Sequence, residues 1–191
     1  MRRAVMYEIR EANVGDCRGI ARVQVDSYRT FYADSFPETY LARFSYEEQE
    51  QDWVALLSTG RDDIALVAVS VEDRVIGYAL AKAAADIYPG YDAEILALHI
   101  AQSFQGRGIG TALFLASAAK LKERGGSSVM LWTLLSNPAR RWYERLQGQL
   151  IDKKSYQVDG MDVVEVAYGW ESIPVDLSAG ELNTVADEPE A

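Results

Sequence analysis

Three glycines at alternate positions, Gly106, Gly108 and Gly110, separate an apolar run from an apolar helical pattern in AEILALHIAQSFQGRGIGTALF, residues 93–114. Backbone that bare lets a ligand reach main-chain amides that side chains would otherwise shield. At a strand-to-helix junction those amides, with the positive end of the following helix, form a site for phosphate. The spacing excludes two common phosphate loops. A dinucleotide fingerprint needs G-x-G-x-x-G, but the third glycine's place is Thr111 counting from Gly106 and Leu113 counting from Gly108. A P-loop needs a Gly-Lys pair after four intervening residues, and the chain has none.

Those glycines need a strand before them and a helix behind, and the patterning supplies both. AEILALHIA (93–101) reads as a buried strand, and TALFLASAAKLKERGG (111–126) as a helix ended by Gly125-Gly126. Upstream, VMYEIREA (5–12) alternates as a strand. Asn13 and Asp16 then open a helix reaching about residue 30, with Val14, Cys17, Ala21, Gln24, Val25 and Tyr28 on one face. Residues 45–60 form a second helix, from the Ser45/Glu48 capping-box spacing to Gly60. DIALVAVSV (63–71) and RVIGYALAKAAA (74–85) make a hairpin through Glu72-Asp73, followed by a loop at 85–92. Downstream come a strand at 127–135 and a helix from Asn137-Pro138 to about Gln147. A last strand pair, QLIDKKSYQ and MDVVEVAYGW, turns at Asp159-Gly160. The order β-α-α-β-β-β-α-β-α-β-β predicts a single mixed α/β domain.

The bulk numbers narrow the class. A chain of 191 residues, 49% hydrophobic and 25% charged, suits one globular domain, expected over 1–173. Cys17 is the one cysteine, so no internal disulfide forms. With no signal-peptide pattern and no membrane-length apolar run, a cytoplasmic protein is expected. Net charge is −10, and residues 176–191 hold five acids and no base, so 174–191 reads as an acidic, disordered tail. The acidic balance argues against nucleic acid as a partner.

Gln105-Gly106-Arg107-Gly108-Ile109-Gly110 is a Q-x-x-G-x-G lying between strand and helix. Together with L-H-I-A-Q-S-F (98–104) before it and N-P-A-R-R-W-Y-E-R-L (137–146) after it, the chain resembles the GNAT superfamily of N-acetyltransferases over roughly residues 4–170. The resemblance implies a mostly antiparallel sheet of about seven strands with a splayed parallel pair at the centre, and about four helices. It implies acetyl-CoA as acyl donor and no metal. Gln105, Gly106, Arg107, Gly108, Ile109, Gly110 and Thr111 would hold its phosphates, and main-chain groups of Leu98 and Ile100 its pantetheine arm. Asn137 would contact the same arm or simply cap its helix; it stands six residues before Tyr143, against seven in the commoner pattern.

The same resemblance suggests catalytic roles. Glu94 lies eleven positions before Gln105, the offset of the catalytic glutamate in histone-acetylating members, and is either the base or an ion-paired strand-end carboxylate. His99, the single histidine, is a second base candidate, expected on the opposite strand face from Glu94 unless a bulge intervenes. Tyr143 would protonate the departing sulfur, or pack in the core. Arg140 and Arg141 would reach the adenosine phosphates or only solvate their helix. An amine acceptor would meet Tyr28, Phe31, Tyr32, Phe36, residues 87–89 and Tyr91, with Asp34, Asp86 and Asp92 suiting a cation. The expected function is N-acetyl transfer to a small-molecule or peptide amine in a ternary complex, by a possible homodimer. The alternative is a non-catalytic CoA-binding module, needing neither Glu94 nor Tyr143.

Overall fold

A computed structural model describes residues 6–59 and 62–174, without the side chains of 85 and 86. The expected end of the second helix at Gly60 and nearly all of the acidic tail therefore lie outside the described residues. Among these residues seven strands form one sheet: β1 (Tyr7–Glu11), β2 (Ile64–Ser70), β3 (Val75–Tyr88), β4 (Tyr91–Ile100), β5 (Val129–Leu134), β6 (Gln149–Val158) and β7 (Met161–Trp170). Their spatial order is β1-β2-β3-β4-β5-β7-β6, and the parallel contact is β4 with β5 at the centre. Among the described residues five α-helices cover the faces: α1 (Cys17–Phe31), α2 (Glu38–Leu41), α3 (Tyr46–Ser58), α4 (Ile109–Glu123) and α5 (Arg140–Arg145). Among the described residues no helix is long and apolar enough to cross a membrane.

Alternation along the strands sorts two apolar layers. Leu66, Ala68, Ala79, Ala81, Ile95 and Leu131 face α4 and α5, where they meet Leu113, Phe114, Leu121 and Trp142. Ala65, Val67, Val69 and Tyr78 face the other way, against Cys17, Ile20 and Val23 of α1 and Trp53 of α3. A third cluster joins Phe36 and Leu41 to Leu134 and Val163, so the α1–α2 segment roofs the second half of the sheet.

Turn chemistry explains several boundaries. Residues 85–88 and 91–92 are not loop: β3 continues to Tyr88, which pairs with Tyr91. Pro89 fixes φ at the first turn position and Gly90 takes φ +85 at the second, so two residues suffice. The 111–126 helix begins two residues early, with Gly108 at its N-cap, and ends at Glu123 before Gly125 at φ +88. The expected 137–147 helix is shorter, because Asn137, Pro138 and Ala139 form its entry turn. At the front of α1, Asn13 and Asp16 make the expected start in the form of a reciprocal cap, and Arg10 clamps Asp16 at 2.7 and 2.9 Å.

Candidate active site

The centre of the sheet is held at one end and open at the other. β4 and β5 register at a single pair, Glu94 with Met130. Just before it, the Asp92 carboxylate accepts hydrogen bonds from the amides and hydroxyls of both Ser127 and Ser128, at 2.6 to 3.1 Å. Desolvation raises the pKa of Asp92, but these donors outweigh it and bring the group down to about 2. Asp92 is thus a clamp on the closed end and not a group free for an acceptor. Beyond the clamp β5 gives β4 no ladder partner. The amide of Ala101 donates to Ile76 on β3, so by alternation Leu98 and Ile100 turn their main-chain groups into the gap.

The glycine turn stands at the open end. Gly106 and Gly108 have φ +64 and +77, a region that side chains disfavour. A Cβ on Gly108 would meet nothing within 4 Å, so the turn's outer surface is open. The first intrahelical bond of α4 is Ala112 N–H to Gly108 O. The amides of Ile109, Gly110 and Thr111 precede it and have no intrahelical acceptor, the arrangement an anion needs. Gly110 faces inward: a Cβ there would meet Ile100, Leu98 and Trp142 at 3.8 to 4.0 Å, ordinary van der Waals contact.

Several side chains expected to face a cofactor are engaged elsewhere. The buried Thr111 hydroxyl accepts from the Trp142 indole at 3.2 Å, joining α4 to α5. Asn137 donates to Thr133 at 2.8 Å and accepts from the Ala139 amide at 2.9 Å, bracing the α5 entry turn. Gln105 reaches back to the Ile100 carbonyl at 3.2 Å, and Arg107 to the Ser103 carbonyl at 2.9 Å. Arg140 bonds the Tyr168 hydroxyl and the Leu135 carbonyl, while Arg141 is exposed. Sequence reasoning missed Arg74, whose guanidinium and that of Arg107 both lie near the Phe104 ring, at 5.3 and 5.5 Å. Arg74 sits on the β2–β3 turn, and only the tertiary fold brings it here.

A bulge decides the relation of Glu94 to His99. Against β3, Ala81 pairs with Ile95 but Leu80 with Ala97, leaving Leu96 extra. The extra residue resets the alternation, so Glu94 and His99 point to the same face, toward α1, not opposite faces. They remain well apart, since their partners Lys82 and Tyr78 are four residues distant on β3, about 13 Å. Glu94 is ion-paired with Lys82 at 3.4 Å. His99 is half-buried among the rings of Tyr78, Tyr28 and Tyr32, at 5.4, 5.9 and 6.2 Å. Loss of water there pushes its imidazole down to about 4, so it is neutral at pH 7.

Tyr143 approaches from the opposite face. It is buried on α5 against Trp142 and Tyr168, at 4.9 and 5.7 Å between rings. Among the described residues its hydroxyl has no hydrogen-bond partner, and burial pushes its pKa well above the usual phenol range. Tyr32, raised chiefly by its own burial, would be raised further by a negative charge on Tyr143, so the two groups are neighbours. The gap between β4 and β5 therefore brings Tyr143 from one side near Tyr32, Tyr28 and His99 on the other. Of the remaining acceptor candidates, Phe36 packs in the third core cluster and Tyr91 lies against Gly169; Asp34 is exposed. Cys17 is buried and its thiol is pushed up by that burial, which removes it as a nucleophile.

Comparison with known proteins agrees with this geometry. The model of the acetyltransferase (GNAT) family matches residues 25–148. An uncharacterized N-acetyltransferase, YuaI of Bacillus subtilis, is 32% identical over 174 residues, covering 91% of this chain and 96% of the relative. Two solved structures share the fold. One is the PaiA N-acetyltransferase of Thermoplasma acidophilum in complex with coenzyme A, with TM-score 0.63 and 21% identity over 84% of this chain and 98% of that one. The other is a GCN5-related N-acetyltransferase of Rhodopseudomonas palustris, with TM-score 0.67 and 17% identity over 88% and 98%. With a strand pair splayed at the centre of its sheet and a glycine turn at the open end, this chain belongs to the GNAT acetyltransferase family.

Proposed function

We propose that the protein transfers an acetyl group from acetyl-CoA to a primary amine of a small molecule or peptide, with both substrates bound at once. The observation that carries this reading is the gap beyond Glu94 and Met130, with free strand backbone on one wall and Tyr143 and His99 entering from opposite faces. The open turn at Gly106 and Gly108 suits the pyrophosphate, held by amides from Gln105 to Thr111. Arg74 and Arg107 add positive charge beside the turn. Main-chain groups of Leu98 and Ile100 would take the pantetheine arm. Asn137 acts indirectly, by setting the entry to α5.

Acetyl-CoA supplies an acetyl group activated as a thioester. In the net reaction one N–C bond forms and one C–S bond breaks; an ammonium acceptor loses two protons, one to sulfur and one to solvent. The Leu98 amide, turned into the gap, stabilises negative charge developing on the carbonyl oxygen. Tyr143, kept protonated by burial, gives a proton to the leaving sulfur and regains it from solvent. Neutral His99 accepts a hydrogen bond from the acceptor nitrogen. Glu94, further along the same face, receives the acceptor's two protons in turn through water and passes each to solvent.

The test combines thermal melting with a thiol-release screen over polyamines, amino acids, aminoglycosides and peptides with free N-termini. Saturating acetyl-CoA should raise Tm by several degrees and NAD should not. Free CoA should appear in equal amount to acetylated amine. Tyr143→Phe and Glu94→Gln should each lower kcat about tenfold or more, with acetyl-CoA affinity held within about twofold. No rise in Tm refutes the reading. A rise with no thiol release from any amine identifies a CoA-binding module instead.

A further inference from the structure

α5 has six residues, fewer than two turns, so hydrogen bonds along its own backbone cannot fix where it lies. Its place is set by its neighbours. Asn137 ties the entry turn to Thr133 of β5, and Arg140 and Glu144 share the Tyr168 hydroxyl of β7, at 3.2 and 2.6 Å. A further bond runs through the residue next to Tyr143. The ring of Trp142 lies 4.9 Å from that of Tyr143, and its indole nitrogen donates to the Thr111 hydroxyl of α4 at 3.2 Å. Thr111 and Trp142 are each 8% exposed, so water does not compete for this bond. Ring contacts such as that of Trp142 with Phe114, at 5.8 Å, tolerate some sliding, whereas a hydrogen bond fixes the angle of the indole.

Thr111 is also the third residue of α4, and its amide is one of those left without an intrahelical acceptor at the glycine turn. One residue therefore serves two points. Its amide belongs to the turn that would hold the phosphates, and its hydroxyl holds the neighbour of Tyr143. In acetyl-CoA the pyrophosphate and the sulfur are joined by the pantetheine arm, so a sulfur whose phosphates are fixed stands within one arm's length of the turn. A proton donor must meet it there within hydrogen-bond reach. The Tyr143 hydroxyl is free to do so. Among the described residues the fully buried side-chain atoms without a partner are Ser117 Oγ and Arg145 Nε, so the unpartnered Tyr143 oxygen keeps some open surface.

We infer that Thr111 and Trp142 are positioning residues for Tyr143: the buried bond between them sets the distance of the phenol from the glycine turn, and so its reach to the sulfur of a cofactor anchored there. This inference rests on the acetyltransfer reading proposed above, in which Tyr143 protonates the leaving sulfur.

The test is a double-mutant cycle on thiol release from acetyl-CoA, with spermidine, lysine, kanamycin and a glycine-starting peptide as amine probes and the fastest of them used throughout. Thr111→Val removes the acceptor at nearly constant shape and should lower kcat about fivefold or more, with acetyl-CoA affinity held within about twofold. Thr111→Ser keeps an acceptor and should bring kcat back to within about twofold of the parent. Trp142→Phe removes the donor instead and should reproduce the loss, which keeps the test decisive if Thr111→Val does not fold. A rise in Tm with acetyl-CoA checks the fold of each variant. In a Tyr143→Phe background Thr111→Val should cost no further rate, because the group it positions is gone. The same loss in both backgrounds overturns the inference, since a bond that only stabilises the fold acts equally in each. A raised KM for acetyl-CoA with kcat unchanged overturns it in favour of a hydroxyl that touches the cofactor. Full rate in Tyr143→Phe overturns it together with the acid role, while acetyl transfer stands. No thiol release with any probe, with acetyl-CoA still raising Tm, overturns both acetyl transfer and the inference.

Discussion

Gln147 has φ +66 at the end of α5, a conformation that favours glycine. It is the left-handed residue of a Schellman ending, in which the Gly148 amide bonds the Tyr143 carbonyl at 2.9 Å and the Gln147 amide bonds that of Glu144 at 3.0 Å. Gln147→Gly should remove strain of about 1 kcal/mol and raise Tm by about 2–4 °C, measured by calorimetry. An unchanged or lower Tm would show that the larger unfolded-state entropy of glycine cancels the gain. At this same scale, residue types were legible in the sequence and their partners were not. Asn137 was readable as a capping residue because the amide that donates to it lies two positions on. Thr111 was not readable as the acceptor for Trp142, since that contact joins two helices.

The strand–turn–helix element from β4 to α4 was the most legible part of the site, because its requirements are local. Gly106 and Gly108 satisfy a backbone need, and the helix start follows at once. Gly108 and Gly125 give a matched comparison. Both have positive φ, +77 and +88, and a Cβ on either would meet nothing within 4 Å. Gly108→Val and Gly125→Val should each cost about 1–2 kcal/mol of stability. Only Gly108→Val should abolish the Tm rise caused by acetyl-CoA, because its side chain stands where the pyrophosphate would approach. Equal retention of that rise in both variants would refute the assignment of the turn. The β3–β4 hairpin was less legible: a loop at 85–92 is a natural reading of Pro89-Gly90, yet long-range pairing carries the strands to within two residues of each other.

Across the whole molecule, two half-sheets meet at one register pair and at Asp92. That makes the joint sensitive to acid. Asp92 titrates near 2 in the fold, below the ordinary carboxylate value of about 4. A depressed folded pKa contributes stability that is present above pH 4 and is lost as pH falls from there toward 2. Asp16, lowered chiefly by its hydrogen bonds from Arg10, acts in the same direction at the start of α1. Melting curves between about pH 3 and 7 should show Tm falling most steeply below pH 4. Asp92→Asn should lower Tm at pH 7 and flatten that fall. If the variant's profile runs parallel to that of the parent, Asp92 is not the acid-sensitive clamp.

The sequence alone determined the order of elements, the glycine turn and its unsuitability for dinucleotides, since these depend on periodicity, caps and allowed φ within a few residues. The family followed from motifs of the same short range. The tertiary structure decided which side chains share a cleft. One extra residue at Leu96 places Glu94 and His99 on one face, and no propensity announces where a strand will bulge. Thr111 and Trp142 stand 31 residues apart and meet because α4 and α5 pack on one face of the sheet, a long-range property that no local pattern encodes.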